Sequence, residues 1–329
     1  TQIAGALQGQ GLLWSNEVVR NRAQVLLSNM ERMGVRNAVV SSCRPDLLCE
    51  RLAGYFDKVL VDAPCSGEGM FRREPQAVKE WSLAHTEACA ARQLAILNSA
   101  AQAVREGGVL VYSTCTFAPV ENEGVVSAFL QKHPGFVLEE TGLSGGRQGI
   151  PSCGDGTPSL KKTRRIYPMD GGEGHFVAKM RRLQENSNAP ASYEFTAQKK
   201  PEERLAEALY KELFSVMPYG SIVQVEDKFL LLPRELPDLA GLGVLRAGIL
   251  LAQKKKNRLE PEHALFMASK AQESRQKVDL PLEDPRVYSY LHGEEIGISE
   301  RLKGFTTVFV EGVALGFGKA SGGVHKNRY

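Results

Sequence analysis

The sequence predicts an α/β protein with a doubly wound sheet, followed by a smaller α+β region. Strand patterns alternate with helical patterns through residues 1–182, which favours a mostly parallel sheet with helices on its faces. Residues 183–200 are rich in Asn, Ser, Ala, Pro and Gln, a composition typical of a linker. Residues 201–329 change to short strands with glycine turns. We therefore predict two domains at 1–182 and 201–329, joined by the linker, with the second domain built from two small modules.

The first elements are predicted from short apolar runs around one helical pattern. Runs at 11–15 and 38–40 indicate strands. Between them the apolar residues of 18–33 recur at helical spacing, and Gly34 stands where a C-cap is expected. The run at 56–62 carries the β-branched residues of a buried parallel strand.

The later elements continue the alternation and then change character. The first region adds a helix at 86–105 ended by Gly107 and Gly108, a strand at 109–115, a helix at 119–131, and strands at 136–138 and 175–180. The second region is predicted to contain helices at 202–216 and 261–270, strands at 222–225 and 229–232, and a terminal hairpin of 306–310 and 313–318.

Composition excludes several classes of protein. No run of about 18 apolar residues indicates a membrane helix, and no signal peptide pattern opens the chain. The six cysteines form no Cys-x-x-Cys pair and no regular framework, so we expect no metal site and free thiols in a reducing cytoplasm. The net charge of +3 does not by itself indicate nucleic acid.

Local runs of positive charge say more about partners than the net charge does. The most extended of these runs is Lys254, Lys255 and Lys256. A solvated surface is the ordinary interpretation of any single run. Several runs would form a phosphate-binding face if the fold brought them together.

Residues 61–69, with the sequence VDAPCSGEG, place an acid and a thiol directly after a buried strand. The carboxyl ends of strands are where open α/β sheets bind ligands. Pro64 fixes the backbone between Asp62 and Cys65, and the glycines allow close approach by a substrate. The alternative is a strand-end turn with a buried structural cysteine, which is common.

A second cysteine, Cys115, ends the next predicted strand in the sequence YSTCT at 112–116. In a parallel sheet, Cys65 and Cys115 would open onto the same edge. Two such cysteines with Asp62 between them indicate a reactive site better than either thiol does alone.

These motifs resemble those of the Sun family of bacterial RNA (cytosine-C5) methyltransferases. DAPCSGEG resembles the fourth motif of the family, YSTCT followed by ENE resembles the sixth, and RRIYPMDGGEGHFVAKM at 164–180 resembles the eighth. Residues 1–7 resemble the helix after the glycine-rich cofactor loop. Residues 201–329 resemble the C-terminal extension of the subfamily acting on 16S ribosomal RNA. The resemblance implies a Rossmann-like methyltransferase sheet and a PUA-like RNA-binding module at the C-terminus.

The resemblance also implies a chemistry and roles for three residues. Cytosine C5 is too weak a nucleophile to accept a methyl group directly, and a thiolate added at C6 activates it. The family assigns the attack to Cys115 and a role in release to Cys65. Asp62 would hold the N3/N4 edge of the cytosine and stabilise the protonated adduct.

The implied cofactor is S-adenosylmethionine. Glu17 matches the acid that binds the cofactor ribose. Asp62 and Pro64 are also placed at the cofactor by the fourth motif. Asp46 is the substitute for the acid expected near adenine.

The implied partner is ribosomal RNA, 16S in the small subunit, bound by a cytoplasmic monomer without a metal. Arg72 and Arg73, after the fourth motif, are candidate RNA contacts together with the lysines at 254–256. A surface loop is an equally good interpretation of the two arginines.

The glycine-rich loop of the family, expected immediately before Thr1, is absent from the sequence, so we expect a chain that lacks its first strand and N-terminal part. The alternative is therefore a non-catalytic RNA-binding fragment that has lost cofactor binding. A DNA cytosine methyltransferase and a dithiol redox protein fit the Thr-Cys motif and the thiol spacing less well.

Overall fold

The computed structural model describes residues 1–183, 201–234, 236–256 and 258–328. Most of the predicted linker, residues 184–200, lies outside the described residues. Among the described residues, no helix has the length and apolar character needed to cross a membrane.

Helices occur in both halves of the described chain. They are α1 Gln2–Leu7, α2 Arg20–Arg32, α3 Pro45–Arg51, α4 Pro75–Glu80, α5 Leu83–Ala103, α6 Glu123–Lys132, α7 Pro201–Leu213, α8 His263–Met267 and α9 Pro285–Leu291.

Strands alternate with these helices at first and then follow one another closely. The early strands are β1 Leu13–Asn16, β2 Ala38–Ser41, β3 Phe56–Asp62, β4 Val104–Thr114, β5 Phe136–Glu139, β6 Arg147–Gln148, β7 Arg164–Ile166 and β8 His175–Arg182. The later strands are β9 Ser221–Val225, β10 Lys228–Leu232, β11 Val244–Ala247, β12 Ile249–Lys255, β13 Arg258–Pro261, β14 Lys277–Leu280, β15 Ile296–Gly297, β16 Gly304–Val310, β17 Val313–Ser321 and β18 Val324–Asn327.

The described residues divide into two compact units at a different place from the predicted domains. The first unit combines Thr1–Cys43 with the residues from 201 onward, and the second unit comprises residues 44–183. The cause is a shared sheet, because β2 pairs in parallel with β1 and antiparallel with β11. The predicted domain boundaries and the linker stay predictions.

The second unit is built on a six-stranded sheet of order β3-β4-β8-β7-β6, with β5 also paired to β8. Strands β3 and β4 are parallel, with Asp62 opposite Ser113, so both strands end at the same edge. Helices α5 and α6 contribute Leu97 and Phe129 to a core that includes Phe176 of β8.

Helix boundaries differ from the predictions in ways that side chains explain. Helix α5 begins at Leu83, because the Ser82 side chain accepts the His85 N–H at 3.1 Å as an N-cap. It ends at Ala103 rather than 105, because β4 already begins at Val104. The predicted helix 119–131 is a 3-10 turn at Pro119–Glu121 followed by α6.

The first unit contains three sheets. Besides β1-β2-β11, there is an antiparallel sheet of order β13-β12-β10-β9 and a five-stranded sheet of order β14-β16-β17-β18-β15. The predicted terminal hairpin is present as β16 and β17. Its Phe317 packs with Phe214 and Phe266, which join α7, α8 and the strands into one core. Of the helix predicted at 261–270, only His263–Met267 is helical, as α8.

Candidate active site

Two thiols meet at the edge where β3 and β4 end. Cys65 follows β3 and Cys115 follows β4 directly, and their Sγ atoms are 3.1 Å apart. The Cys115 backbone N–H also donates to Cys65 Sγ at 3.3 Å. Both thiols are half-buried, so they remain within reach of a substrate. The parallel register therefore brings together the two cysteines that the sequence singled out.

The pKa values of the two thiols are shifted in opposite directions. A hydrogen bond from Cys65 lowers the pKa of the Cys115 thiol, and it outweighs burial and the nearby Asp62 and Glu121 carboxyl groups, which act in the opposite direction. The same contact raises the pKa of the Cys65 thiol, and burial raises it further. Cys115 is thus the more acidic thiol of the pair, and Cys65 is the less acidic one.

Asp62 lies at the same edge and is exposed. Its Oδ1 atom accepts the hydroxyl of Ser113 at 3.0 Å, across the β3–β4 ladder. This contact fixes one carboxylate oxygen, and the exposed group keeps acceptor positions for a polar substrate edge.

A buried carboxylate that the sequence analysis did not assign holds the Cys65 loop from below. Glu121 is fully buried. It accepts the Ser66 N–H at 3.0 Å, the Ser66 hydroxyl, and the Gln93 side-chain amide at 2.7 Å. Gln93 also donates to the Pro64 carbonyl at 2.9 Å. The residues on both sides of Cys65 are thereby fixed by one carboxylate and one amide.

Glu68 ties the Cys65 loop to the Cys115 loop. Its Oε2 atom accepts the Phe117 N–H at 2.9 Å and the Thr116 hydroxyl at 3.2 Å. The Gly69 N–H donates to the Cys115 carbonyl at 2.9 Å, and a Cβ at Gly69 would lie 2.9 Å from that oxygen. Gly69 is therefore required for the close approach of the two loops. Glu68 and Glu121 both fall within motifs noted in the sequence, but only the fold reveals their partners.

The predicted cofactor residues are divided between the units. Pro64 and Asp46 belong to the second unit together with Asp62, whereas Glu17 belongs to the first. The Glu17 carboxylate accepts the Val19 N–H at 2.9 Å. Asp46 is exposed and pairs with Arg44, which lowers the pKa of its carboxyl.

The predicted RNA-binding arginines share one acid. Arg72 and Arg73 each lie 2.9 Å from a different carboxylate oxygen of Glu173. Their side chains are 63% and 67% exposed, so this pairing leaves both accessible to other anions.

The predicted lysines lie on the β12–β13 sheet of the first unit. Lys254 pairs with Glu202 at 2.5 Å, and Lys255 pairs with Glu260 at 3.1 Å. Lys256 occupies the left-handed region at φ 53° in the turn after β12.

Family models match most of the chain. The model of the 16S rRNA methyltransferase RsmB/F matches residues 1–181. The model of the RsmF rRNA methyltransferase first C-terminal domain matches residues 207–268. The Methyltransferase RsmF PUA domain matches residues 277–329. The last match agrees with the PUA-like module expected at the C-terminus.

Curated relatives match over nearly all of this chain. The ribosomal RNA small subunit methyltransferase F of Shewanella sp. (strain W3-18-1) is 33% identical over 99% of this chain and 69% of its own length. The protein of that name from Vibrio vulnificus (strain YJ016) is 33% identical over 97% of this chain and 68% of its own length. A solved structure described as NSun6 from Pyrococcus horikoshii with SFG is 34% identical, with a TM-score of 0.48, over 56% of this chain and 44% of that one.

The family matches, the α/β unit and the PUA-like module define the class of protein as an S-adenosylmethionine-dependent RNA methyltransferase with a Rossmann-like catalytic fold. The chain belongs to the 16S rRNA methyltransferase RsmB/F family.

Proposed function

We propose that this protein methylates C5 of a cytosine in 16S ribosomal RNA, with Cys115 as the nucleophile. The observation that carries the proposal is the pair of thiols 3.1 Å apart at the carboxyl ends of two parallel strands. A single half-buried cysteine would fit a structural role. Two cysteines in contact, one of which has a lowered pKa, fit covalent catalysis better.

The Cys115 thiolate adds to C6 of the cytosine, and a Cys115–C6 bond forms. The C5=C6 π electrons shift to C4–C5 and the C4=N3 electrons to N3, which takes up a proton from solvent, so that C5 becomes the nucleophilic carbon of an enamine. Asp62 supports this step because its exposed carboxyl group faces the substrate edge and can hold N3 and the N4 amino group. Charge that develops on the ring is stabilised by a group already in position.

Release requires removal of the C5 proton, after which the C5=C6 bond reforms and the Cys115–C6 bond breaks. Cys65 suits this step because its hydrogen bond to Cys115 is the largest cause of its raised pKa. Once the Cys115 sulfur is bonded to C6, that cause is removed, and the Cys65 pKa falls toward its ordinary value. Cys65 can then lose its own proton to solvent, and the resulting thiolate accepts the C5 proton, directly or through a base, as the Cys115 thiolate leaves.

When bound, the cofactor would supply an electrophilic methyl group for C5, with its sulfur as the leaving group. Glu17 would accept hydrogen bonds from the ribose hydroxyls, which are donors that suit a carboxylate fixed by the Val19 N–H. Asp62 and Pro64 would border the cofactor at the end of β3, and Asp46 would lie near its adenine. The Pro64 carbonyl is held by Gln93, so this stretch of backbone is in place before any ligand binds.

RNA binding is proposed for Arg72 and Arg73 beside the site and for Lys254, Lys255 and Lys256 in the first unit. The basic side chains of the ion pairs made by Arg72, Arg73, Lys254 and Lys255 are exposed, and such pairs exchange readily with phosphates.

The test is trapping with RNA in which the target cytosine carries fluorine at C5, which blocks release. The full-length protein is expected to form a covalent adduct that survives denaturing electrophoresis. Cys115→Ala is expected to form none, whereas Cys65→Ala keeps it. An adduct that survives Cys115→Ala and disappears in Cys65→Ala would reverse the assignment.

A further inference from the structure

A second surface of the 44–183 unit lies beside the Cys115 loop. A cavity of about 240 Å³ is lined by Arg147, Gln148, Ile150, Tyr167 and Met169. We call it the Tyr167 cavity. The Arg147 side chain is 61% exposed, and Met169 is 72% exposed. The cavity therefore combines a cation, an amide and apolar surface that is open to a ligand.

Planar groups connect this cavity to the catalytic loop. The rings of Phe117 and Tyr167 are stacked, with centroids 5.5 Å apart and planes 13° from parallel. The Arg147 guanidinium lies 5.5 Å from the centroid of the Tyr167 ring. Phe117 is two residues from Cys115, so its Cα is within about 8 Å of the nucleophile's Cα. The stack therefore joins the loop that carries Cys115 to the lining of the cavity.

The Phe117 end of this stack is held in place by backbone contacts. The Phe117 N–H donates to Glu68 at 2.9 Å, and the Phe117 carbonyl accepts from Arg165 at 2.9 Å. A Cβ at Gly174 would lie 2.3 Å from Cζ of the Phe117 ring. The ring therefore occupies the space that a side chain at 174 would fill, and the stack is formed in advance of any ligand.

The chemistry of the lining points to a nucleobase. Proteins bind splayed RNA bases by stacking them on aromatic rings or on arginine guanidinium planes. Gln148 adds an amide that can donate to and accept from a base edge. The Arg147 ion pair with Asp170 is long, at 3.8 Å, so a ligand can displace it at little cost.

We propose that the Tyr167 cavity binds the base of a nucleotide close to the target cytosine, stacked on Arg147. This inference rests on the proposed function, because it requires an RNA substrate at Cys115. The cavity gives the enzyme a contact with RNA sequence or conformation beyond the target base itself.

The test compares four forms of the full-length protein on a short RNA containing the target cytosine. These are the wild type, Arg147→Ala, Arg147→Lys, and a control, Arg105→Ala. Arg105 is 50% exposed and paired with an acid, as Arg147 is, but it lies at the opposite end of β4 from Cys115. Each flanking nucleotide is replaced in turn by an abasic one, and kcat and KM are measured.

One abasic position is expected to cost the wild type about tenfold in kcat/KM, mainly through KM. Arg147→Ala is expected to lose about tenfold on intact RNA and nothing further at that position. Arg147→Lys behaves like Arg147→Ala, because lysine lacks the planar group, and Arg105→Ala behaves like the wild type.

The proposal is overturned if the loss caused by Arg147→Ala and the loss caused by the abasic nucleotide multiply at every position. Full activity of Arg147→Lys would also overturn it. Either result leaves the proposed function intact, provided that the wild type methylates the intact RNA at C5. Failure of the wild type to do so overturns the proposed function itself.

Discussion

The thiol edge of the second unit and the lysine-bearing sheet of the first unit differ in how far their charged groups are buried. Beneath the thiols, Glu121 is fully buried and accepts three hydrogen bonds. On the β12–β13 sheet, Lys254 and Lys255 are exposed and each contacts one acid. Buried, multiply bonded groups hold a fixed geometry, whereas exposed pairs exchange partners at little cost. The first arrangement suits bond making, and the second suits reversible contact with a polyanion.

The largest effect is expected from Cys65→Ala, which tests whether the thiol edge carries out the chemistry. With ordinary RNA the variant forms the Cys115–C6 bond but does not release it, so turnover falls by about a thousandfold or more. The measurement is a denaturing gel, on which a protein–RNA adduct accumulates with unmodified cytosine. Cys89→Ala is the matched control, because Cys89 is a buried thiol on α5. Rapid turnover by Cys65→Ala without any adduct would remove the release role.

Asp62→Asn is expected to reduce the single-turnover rate by about a hundredfold and to reduce RNA affinity much less. The reason is that Asp62 acts on charge that develops in the transition state, not on the resting complex. Single-turnover kinetics and equilibrium binding are measured on the same RNA. Equal losses in both quantities would place Asp62 among the binding groups instead.

The pH dependence of adduct formation tests the acidities of the thiol pair. The Cys65 hydrogen bond is the largest cause of the lowered Cys115 pKa. Removing the donor raises that pKa, so the acid limb of the rate profile moves to higher pH in Cys65→Ala. Cys65→Ser keeps an O–H donor and is expected to move the limb less. An acid limb that is identical in the wild type and in Cys65→Ala would show that this hydrogen bond does not tune the nucleophile.

The sequence was sufficient to predict the strands that carry the thiols, but not what supports them. The strand 56–62 and the positions of Cys65 and Cys115 follow from apolar runs and motif spacing, which are local signals. The roles of Glu121 and Gln93 depend on contacts between residues 28 apart in the chain, and no local pattern reports these. The pairing of β2 with β11 joins residues 203 to 208 positions apart, which is why the predicted domains and the compact units disagree.

The smallest effect is expected from replacing Lys254, Lys255 and Lys256 together by alanine. Each lysine that contacts a phosphate adds about one to the slope of log affinity against log salt. The triple variant should therefore bind RNA several-fold more weakly at moderate salt, with a shallower salt dependence. The catalytic rate at saturating RNA should not change, because these residues belong to a different unit from Cys115.

The control for that experiment is Lys211→Ala with Lys270→Ala, two exposed lysines of the same unit that lie outside the residues matched by the PUA domain. Equal losses in the control and the triple variant would show a general effect of net charge rather than a binding face. An unchanged salt slope in the triple variant would mean that these lysines do not contact phosphate. The exposed ion pairs of the β12–β13 sheet would then have no part in binding the polyanion. Such a result would leave Arg72, Arg73, the Tyr167 cavity and the PUA-like module as the proposed contacts with RNA.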